Sequence, residues 1–284
     1  MIHIRDQLDY HIISSCNLDC PGCDRFCNYE IPYHISVEDF EKDSFLWGNL
    51  CTFDQVTLIG GEPFMHPNLI DIYKISTKNL KAKSISIATN GTLFHKSRNV
   101  DIIESIISLG YNTSIEISIH FDNESEKKKI FNNIKKYILK DYKWDRIDSR
   151  RLKYRNAIVN IKDYTGKDWI WHPYNRFVNG KLKPYEDNNP KLSWERCSFA
   201  DCVSIFKGRM YKCARLALLG HYLEKYNSHN DPDWEPYYRY KGISPTDNLS
   251  VINDFIAKRE VYEDVCSMCP AYELAVPQRG ANYK

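Results

Sequence analysis

An α/β chain built around a parallel sheet is what this sequence predicts, and three observations predict it. Short apolar strands alternate with amphipathic helices through the first half of the chain, which is the pattern of βα units. The strands carry apolar side chains on one face and polar side chains on the other, so the polar faces line an interior. After about Lys162 the alternation gives way to segments rich in Trp, Tyr, Pro and Asn. A complete eight-stranded barrel fills its interior with branched apolar side chains, so a polar interior points to a wider, incomplete barrel with a substrate cavity. An antiparallel sheet with one wet face fits the helical spacers poorly.

The strands are read at Asp9–Ser15, Gln55–Ile59, Ser84–Thr89, Thr113–His120 and Asn156–Lys162. In the fourth, Ile115, Ile117 and Ile119 oppose Ser114, Glu116, Ser118 and His120; in the third, Ile85 and Ile87 oppose Ser84, Ser86, Ala88 and Asn90; in the last, Ala157, Val159 and Ile161 oppose Asn156, Asn160 and Lys162. Ser36, with Asp39 three positions on, caps a helix running to about Leu50, and Pro67 suits the first turn of the next. A helix near Asn99–Leu109 carries Val100, Ile103, Ile106 and Ile107 on one face and stops at Gly110. Another, from Glu124 to Leu139, shows Ile130, Phe131, Ile134, Tyr137 and Ile138. Residues 163–196 and 227–248 read as long irregular connections, a length that favours functional loops. The change of character divides the chain into a barrel core over 1–165 and an extension over 166–284.

The 284 residues can bury a substantial core without staples. Lys and Arg nearly balance Asp and Glu, for a formal charge of +2, so no global field indicates nucleic acid. Met1 to Ser15 lacks the apolar core of a signal peptide and no stretch is apolar enough to span a bilayer; the expectation is a cytoplasmic protein without a membrane partner. Ten cysteines are many for such a chain, because cytoplasmic thiols stay reduced. Metal or cluster ligation is their natural use, with disulfides of a secreted protein as the alternative. Eight fall into two groups, Cys16, Cys20 and Cys23, then Cys197, Cys202, Cys213, Cys266 and Cys269.

Cys16-Asn-Leu-Asp-Cys20-Pro-Gly-Cys23 follows directly on the first strand. Three closely spaced thiolates can each take one iron of a cubane and leave the fourth open for chemistry; a zinc site would need one further ligand. The spacing resembles the CxxxCxxC motif of the radical S-adenosylmethionine (radical SAM) superfamily. Leu58-Ile-Gly-Gly-Glu-Pro at the end of the second strand is similar to that family's GGE motif, and Thr89-Asn90-Gly91-Thr92 to its TNGT segment. Ile117-Ser118-Ile119 resembles its fourth-strand segment, and the likeness covers about residues 8–162. It implies a partial (β/α)6 TIM-like barrel, a [4Fe–4S] cluster on Cys16, Cys20 and Cys23, and S-adenosylmethionine held by Gly60, Gly61, Glu62, Asn90 and Ser118. The glycine pair and Glu62 are expected to bind cofactor rather than to build the fold. Gly22 stands where the family usually has an apolar residue before the third cysteine.

Cys197, Gly208, Cys213 and Cys266-Ser-Met-Cys269 resemble the twitch domain, a shortened SPASM extension holding one auxiliary [4Fe–4S] cluster. Cys202 is a spare or an alternative to Cys197, and a structural zinc site is the competing reading. Ile205–Cys213 reads as a hairpin turning on Lys207-Gly208, followed by a helix over 214–226. Cys27 and Cys51 read as small core residues, with Cys27 also a candidate hydrogen-atom donor. Trp169, Trp171 and Tyr174 read first as aromatic core, with walls of the cavity as the alternative. Glu116, His120 and Lys162 are the candidate catalytic bases.

The resemblance implies reductive cleavage of S-adenosylmethionine to a 5′-deoxyadenosyl radical that abstracts hydrogen from substrate. A sugar, aminocyclitol or related polar metabolite is expected to be oxidised, with the auxiliary cluster accepting an electron and a flavodoxin- or ferredoxin-type protein supplying one. The alternatives are a peptide or protein side-chain maturase, modification of a nucleotide or nucleic acid base, and a non-catalytic iron–sulfur or zinc module.

Overall fold

A computed structural model describes residues 1–139, 143–164, 170–171, 176–185, 189–197, 200, 202–271, 276–277 and 281–284. In chain order its principal elements begin with β1 (Ile2–Ile13), α1 (Val37–Leu50), β2 (Cys51–Gly60), α2 (Leu69–Asn79), β3 (Lys81–Thr89), α3 (Ser97–Ser108), β4 (Thr113–Ile119) and α4 (Glu124–Asn133). They continue with β5 (Asp145–Arg146), β6 (Arg151–Tyr154), β7 (Ala157–Asp163), α5 (Pro190–Glu195), β8 (Cys202–Phe206), β9 (Arg209–Tyr211), α6 (Ala214–Lys225) and α7 (Leu249–Lys258).

The strands form one sheet in the order β9-β8-β1-β2-β3-β4-β7-β6-β5. From β8 to β7 all neighbours run parallel, while β9 and the pair β6, β5 extend the two ends antiparallel. The sheet is therefore open, as the polar strand faces predict. On β4 burial alternates residue by residue, with Ile115, Ile117 and Ile119 fully buried. That face meets Ile87, Ile103, Ile106 and Ile130 in one apolar core.

Local signals explain most boundaries. Asp39 N–H donates to Ser36 Oγ at 3.0 Å and starts α1. The β8–β9 hairpin turns on Lys207 and Gly208, both at positive φ (48° and 72°), as a two-residue turn requires. Four expectations need correction. Pro67 lies outside α2, whose N-cap is Asn68. Phe131 is exposed, because the buried stripe is Ile130, Ile134 and Ile138 at four-residue spacing, carried through a π-helical turn at Ile134–Ile138, and Phe131 lies beside it. The connection 163–196 contains a small hairpin, Arg176–Val178 with Lys181–Lys183, and helix α5. The connection 227–248 contains helical turns at Pro232–Trp234 and Glu235–Tyr238, anchored by fully buried Trp234.

The hairpin expected to belong to the extension joins the main sheet. Cys202–Ile205 of β8 pair with Gln7–Tyr10 of β1, placing a strand from after residue 200 beside the first strand. Among the described residues no helix is long and apolar enough to cross a membrane.

Candidate functional site: two cysteine centres and a polar cavity

The loop leaving β1 carries Cys16, Cys20 and Cys23, and its path is fixed by the end of β2. Gly61 N–H donates to the Ile13 carbonyl at 2.6 Å and Glu62 N–H to the Ser15 carbonyl at 2.9 Å. A Cβ on Gly60 would lie 1.9 Å from the Ile13 carbonyl oxygen, and one on Gly61 2.1 Å from that of Ser15. Only glycine permits this approach. Glu62 is fully buried. Its Oε1 accepts from Phe64 N–H (3.0 Å) and the Thr89 hydroxyl (2.8 Å), and its Oε2 from Asn90 N–H (2.8 Å). Burial nonetheless pushes its carboxyl up to about 7. Gly60, Gly61 and Glu62 thus tie the ends of β1, β2 and β3 together. Gly60 and Gly61 also line the cavity described next, whereas Glu62 contributes no surface to it.

That cavity, of about 810 Å³, runs along the polar strand faces and is walled at one end by Cys16, Cys20 and Cys23. Ser114, Glu116, Ser118 and His120 of β4 face into it beside Asn160 and Lys162 of β7. Asn90 also reaches it; its Nδ2 donates to Asn17 Oδ1 at 3.0 Å and its Oδ1 accepts from Thr92, which fixes the side chain beside the cysteine loop. Glu116 accepts from Ser114 Oγ at 2.5 Å and Asn160 Nδ2 at 2.8 Å, and pairs with Lys162 Nζ at 3.4 Å. His120 stacks on Tyr164 with centroids 5.5 Å apart, and desolvation lowers its imidazole to about 4, so it is neutral near pH 7. The three candidate bases share one space.

Residues 10–150 match the radical SAM superfamily. That stretch of the chain is a radical SAM domain. A sequence search of curated proteins finds no match. Among solved structures, BtrN in complex with AdoMet and 2-DOIA superposes with a TM-score of 0.47 at 16% identity, over 85% of this chain and 89% of that one. SuiB of Streptococcus suis gives 0.37 at 14% identity, over 82% and 67%. Native anSMEcpe with bound AdoMet and Cp18Cys peptide gives 0.33 at 22% identity, over 46% and 41%.

Radical SAM chemistry requires a [4Fe–4S] cluster and S-adenosylmethionine. Among the described residues no three His, Cys, Asp or Glu side chains are arranged to hold a single metal ion, so the fit rests on the donor set. Three thiols on one loop face one space, and a cubane takes each on a separate iron. Burial pushes the Cys16 thiol up to about 12 and raises Cys20 further, with the nearby Cys23 thiol adding to both. Metal binding here must therefore displace protons. Cys27 is buried against the cavity, its thiol donating to the Arg25 carbonyl at 3.5 Å; Cys51 is plain core at the start of β2.

The second group is brought together differently. Cys197, Cys213, Cys266 and Cys269 line one small pocket of about 40 Å³. Cys213 caps α6, Cys197 follows α5, and Cys266 and Cys269 sit on the turn at Asp264–Met268 and just past it. Ser193 Oγ donates to the Cys269 carbonyl at 2.9 Å, and Arg215 Nη1 to Cys269 Sγ at 3.4 Å. Cys202 is not with them: it lies on β8 in the wall of the large cavity, which Asp9 also lines.

Sequence reasoning missed Asp9, Arg25, Cys202 as a cavity residue, and Tyr164. Asp9 lies on the polar face of β1 and forms a buried hydrogen-bonded ion pair with Arg25, two positions after Cys23. The alternation of β1 gave a usable signal for Asp9. Arg25 gave none, because beside its neighbour Asp24 its buried partner is Asp9, on a strand sixteen positions earlier. Trp169 and Tyr174 lie outside the described residues, as does the side chain of Trp171.

Proposed function

We propose that this radical SAM enzyme oxidises a small polar substrate, such as a sugar or aminocyclitol alcohol, inside the barrel. The observation that carries the reading is the single cavity that joins the Cys16–Cys23 loop to Glu116, Lys162 and His120. Cys16, Cys20 and Cys23 would hold the first cluster, with Gly60, Gly61, Asn90 and Ser118 lining the space for S-adenosylmethionine. Cys197, Cys213, Cys266 and Cys269 would hold a second cluster, with all four thiols engaged. When bound, the first cluster and S-adenosylmethionine supply a 5′-deoxyadenosyl radical able to take a hydrogen atom from an unactivated carbon, and the second cluster supplies a one-electron acceptor.

The residues of the chain do the rest. The Ser, Asn, Glu and Lys side chains of β4 and β7 offer donors and acceptors spaced along two strands, which suits a molecule bearing several hydroxyl or amino groups. Conversion of an alcohol to a carbonyl removes a proton from oxygen as well as hydrogen and one electron from carbon. Glu116, held by Ser114, Asn160 and Lys162, or neutral His120, can accept that proton. The electron that begins each turnover comes from an external one-electron reductant.

The test is anaerobic turnover with a panel of polyols and aminocyclitols, measuring 5′-deoxyadenosine and oxidised product together. A true substrate should raise 5′-deoxyadenosine and yield product in a one-to-one ratio. In Glu116→Gln, 5′-deoxyadenosine should persist while product falls on the order of a hundredfold. Stimulation by peptides alone would overturn the reading.

A further inference from the structure

The loop that carries Cys16, Cys20 and Cys23 is held from a second side, by the residues at 281–284. Asn282 and Tyr283 pair antiparallel with Asp19 and Leu18, between the first two cysteines. Lys284 brackets the loop: its N–H donates to the Asn17 carbonyl at 3.1 Å and its Nζ to the Cys27 carbonyl at 2.8 Å. One residue thus ties a point just after Cys16 to a point beyond Cys23. The segment is anchored to the far rim of the barrel as well. Ala281, itself buried, donates N–H to the His120 carbonyl at 2.8 Å. The Tyr283 ring packs on Phe121 with centroids 5.0 Å apart, and its hydroxyl donates to Glu126 Oε2 at 3.1 Å.

We propose that Ala281–Lys284 is a positioning strap, which holds the three-cysteine loop in its ligating conformation and couples it to the rim at His120–Phe121. The inference rests on the reading of that loop as the cluster site. Geometry supports it in two ways. A loop carrying three ligands must hold them at fixed separations, and loops have little internal structure to do so; a strand added across it supplies backbone hydrogen bonds that side-chain packing does not. The ammonium of Lys284 also sits beside a site that becomes anionic when three thiolates bind iron, where a nearby cation is favourable. The strap's hydrogen bonds fall on backbone groups, that of His120 included, and on Glu126, so its part is positioning and not catalysis.

The experiment compares the parent chain with one ending at Gly280, and with Lys284→Met and Lys284→Arg. In metal-free protein, amide hydrogen exchange at Leu18 and Asp19 should quicken at least tenfold on deletion while the amides of β2, β3 and β4 stay protected. In anaerobically reconstituted protein, iron of the first site should pass to a chelator at least tenfold faster. Its electron paramagnetic resonance signal with S-adenosylmethionine should broaden. Lys284→Met should quicken iron loss about threefold without changing exchange at Leu18 and Asp19, and Lys284→Arg should restore the parent rate. Exchange and iron loss within twofold of parent on deletion would overturn the proposal. Should the shortened chain not fold, parent-like iron loss in Lys284→Met overturns it instead. The exchange arm is read without metal, so its failure is separable from failure of the radical reading.

Discussion

The two cysteine centres use the same side chain on opposite kinds of scaffold. Cys16, Cys20 and Cys23 sit on a loop at the end of a parallel strand, facing a polar cavity of about 810 Å³. Cys197, Cys213, Cys266 and Cys269 come from helix ends and a turn, and close on a pocket of about 40 Å³ whose other walls include Trp194, Leu216, Val265 and Met268. A loop at strand ends leaves room for a substrate, because strand ends of such sheets are where the crevice lies. A site between packed turns leaves room only for what the thiols themselves hold. The difference teaches that openness, more than the number of thiols, decides whether a group of cysteines can share its space with a further molecule.

The sharpest way to break the comparison is to remove each centre in turn. Cys16→Ala with Cys20→Ala and Cys23→Ala should abolish 5′-deoxyadenosine formation, a loss on the order of a thousandfold or more, since the reactive group has no other holder. Cys266→Ala with Cys269→Ala should keep slow 5′-deoxyadenosine formation and lose oxidised product, with circular dichroism confirming that the double variant folds. Normal product from that variant would leave the second centre a structural role.

A second prediction separates Cys197 from Cys202. Anaerobically reconstituted Cys202→Ser should retain iron near the parent level of about eight per chain, two four-iron cubanes. Cys197→Ser should hold about four, or lose them readily. Zinc in place of the second four irons would defeat the cluster reading of that pocket.

The third effect concerns Gly61. A side chain there meets the Ser15 carbonyl, so Gly61→Val should cost about 3 kcal/mol of stability and release iron from the first site. The glycine pair is thereby a fold element as well as a cavity wall. Loss of S-adenosylmethionine binding alone, with iron and denaturation midpoint unchanged, would contradict this.

The smallest effect is on pH dependence. His120 has its folded pKa lowered to about 4 from an ordinary value near 6.5. The unfolded chain therefore binds more protons in that window, and stability contributed by neutral His120 is lost as pH falls from 6.5 towards 4. In His120→Gln the slope of stability against pH across that window should flatten, by denaturant titration at several pH values.

Much of the first centre was legible because its signals are local. Strand alternation placed Ser114, Glu116, Ser118 and His120 on one face, the cysteine spacing placed the loop, and Lys207-Gly208 placed the hairpin turn. What stayed hidden depends on partners far away in the chain. Whether β8 pairs with β9 alone or also with β1 cannot be read from β8. The choice between Cys197 and Cys202 depended on that pairing, because membership of the sheet is what turns Cys202 towards the large cavity. The strap at 281–284 is four residues without periodicity, and its meaning lies wholly in Leu18 and Asp19.

The pairing of β1 with β8 also bears on how the molecule comes to be made. Leu8 meets Val203, so the strand that leads into the three-cysteine loop waits for its second neighbour through nearly 200 residues of further synthesis. A contact of that sequence separation forms slowly, since the intervening chain must first be closed into a loop. Until then one edge of β1 presents unpaired N–H and C=O groups to other chains. A fragment of residues 1–165 would keep that edge permanently, although it contains the cysteine motif and both glycine-bearing turns. It should therefore associate or aggregate, and insertion of iron in the cell should follow completion of the chain rather than accompany emergence of the motif from the ribosome.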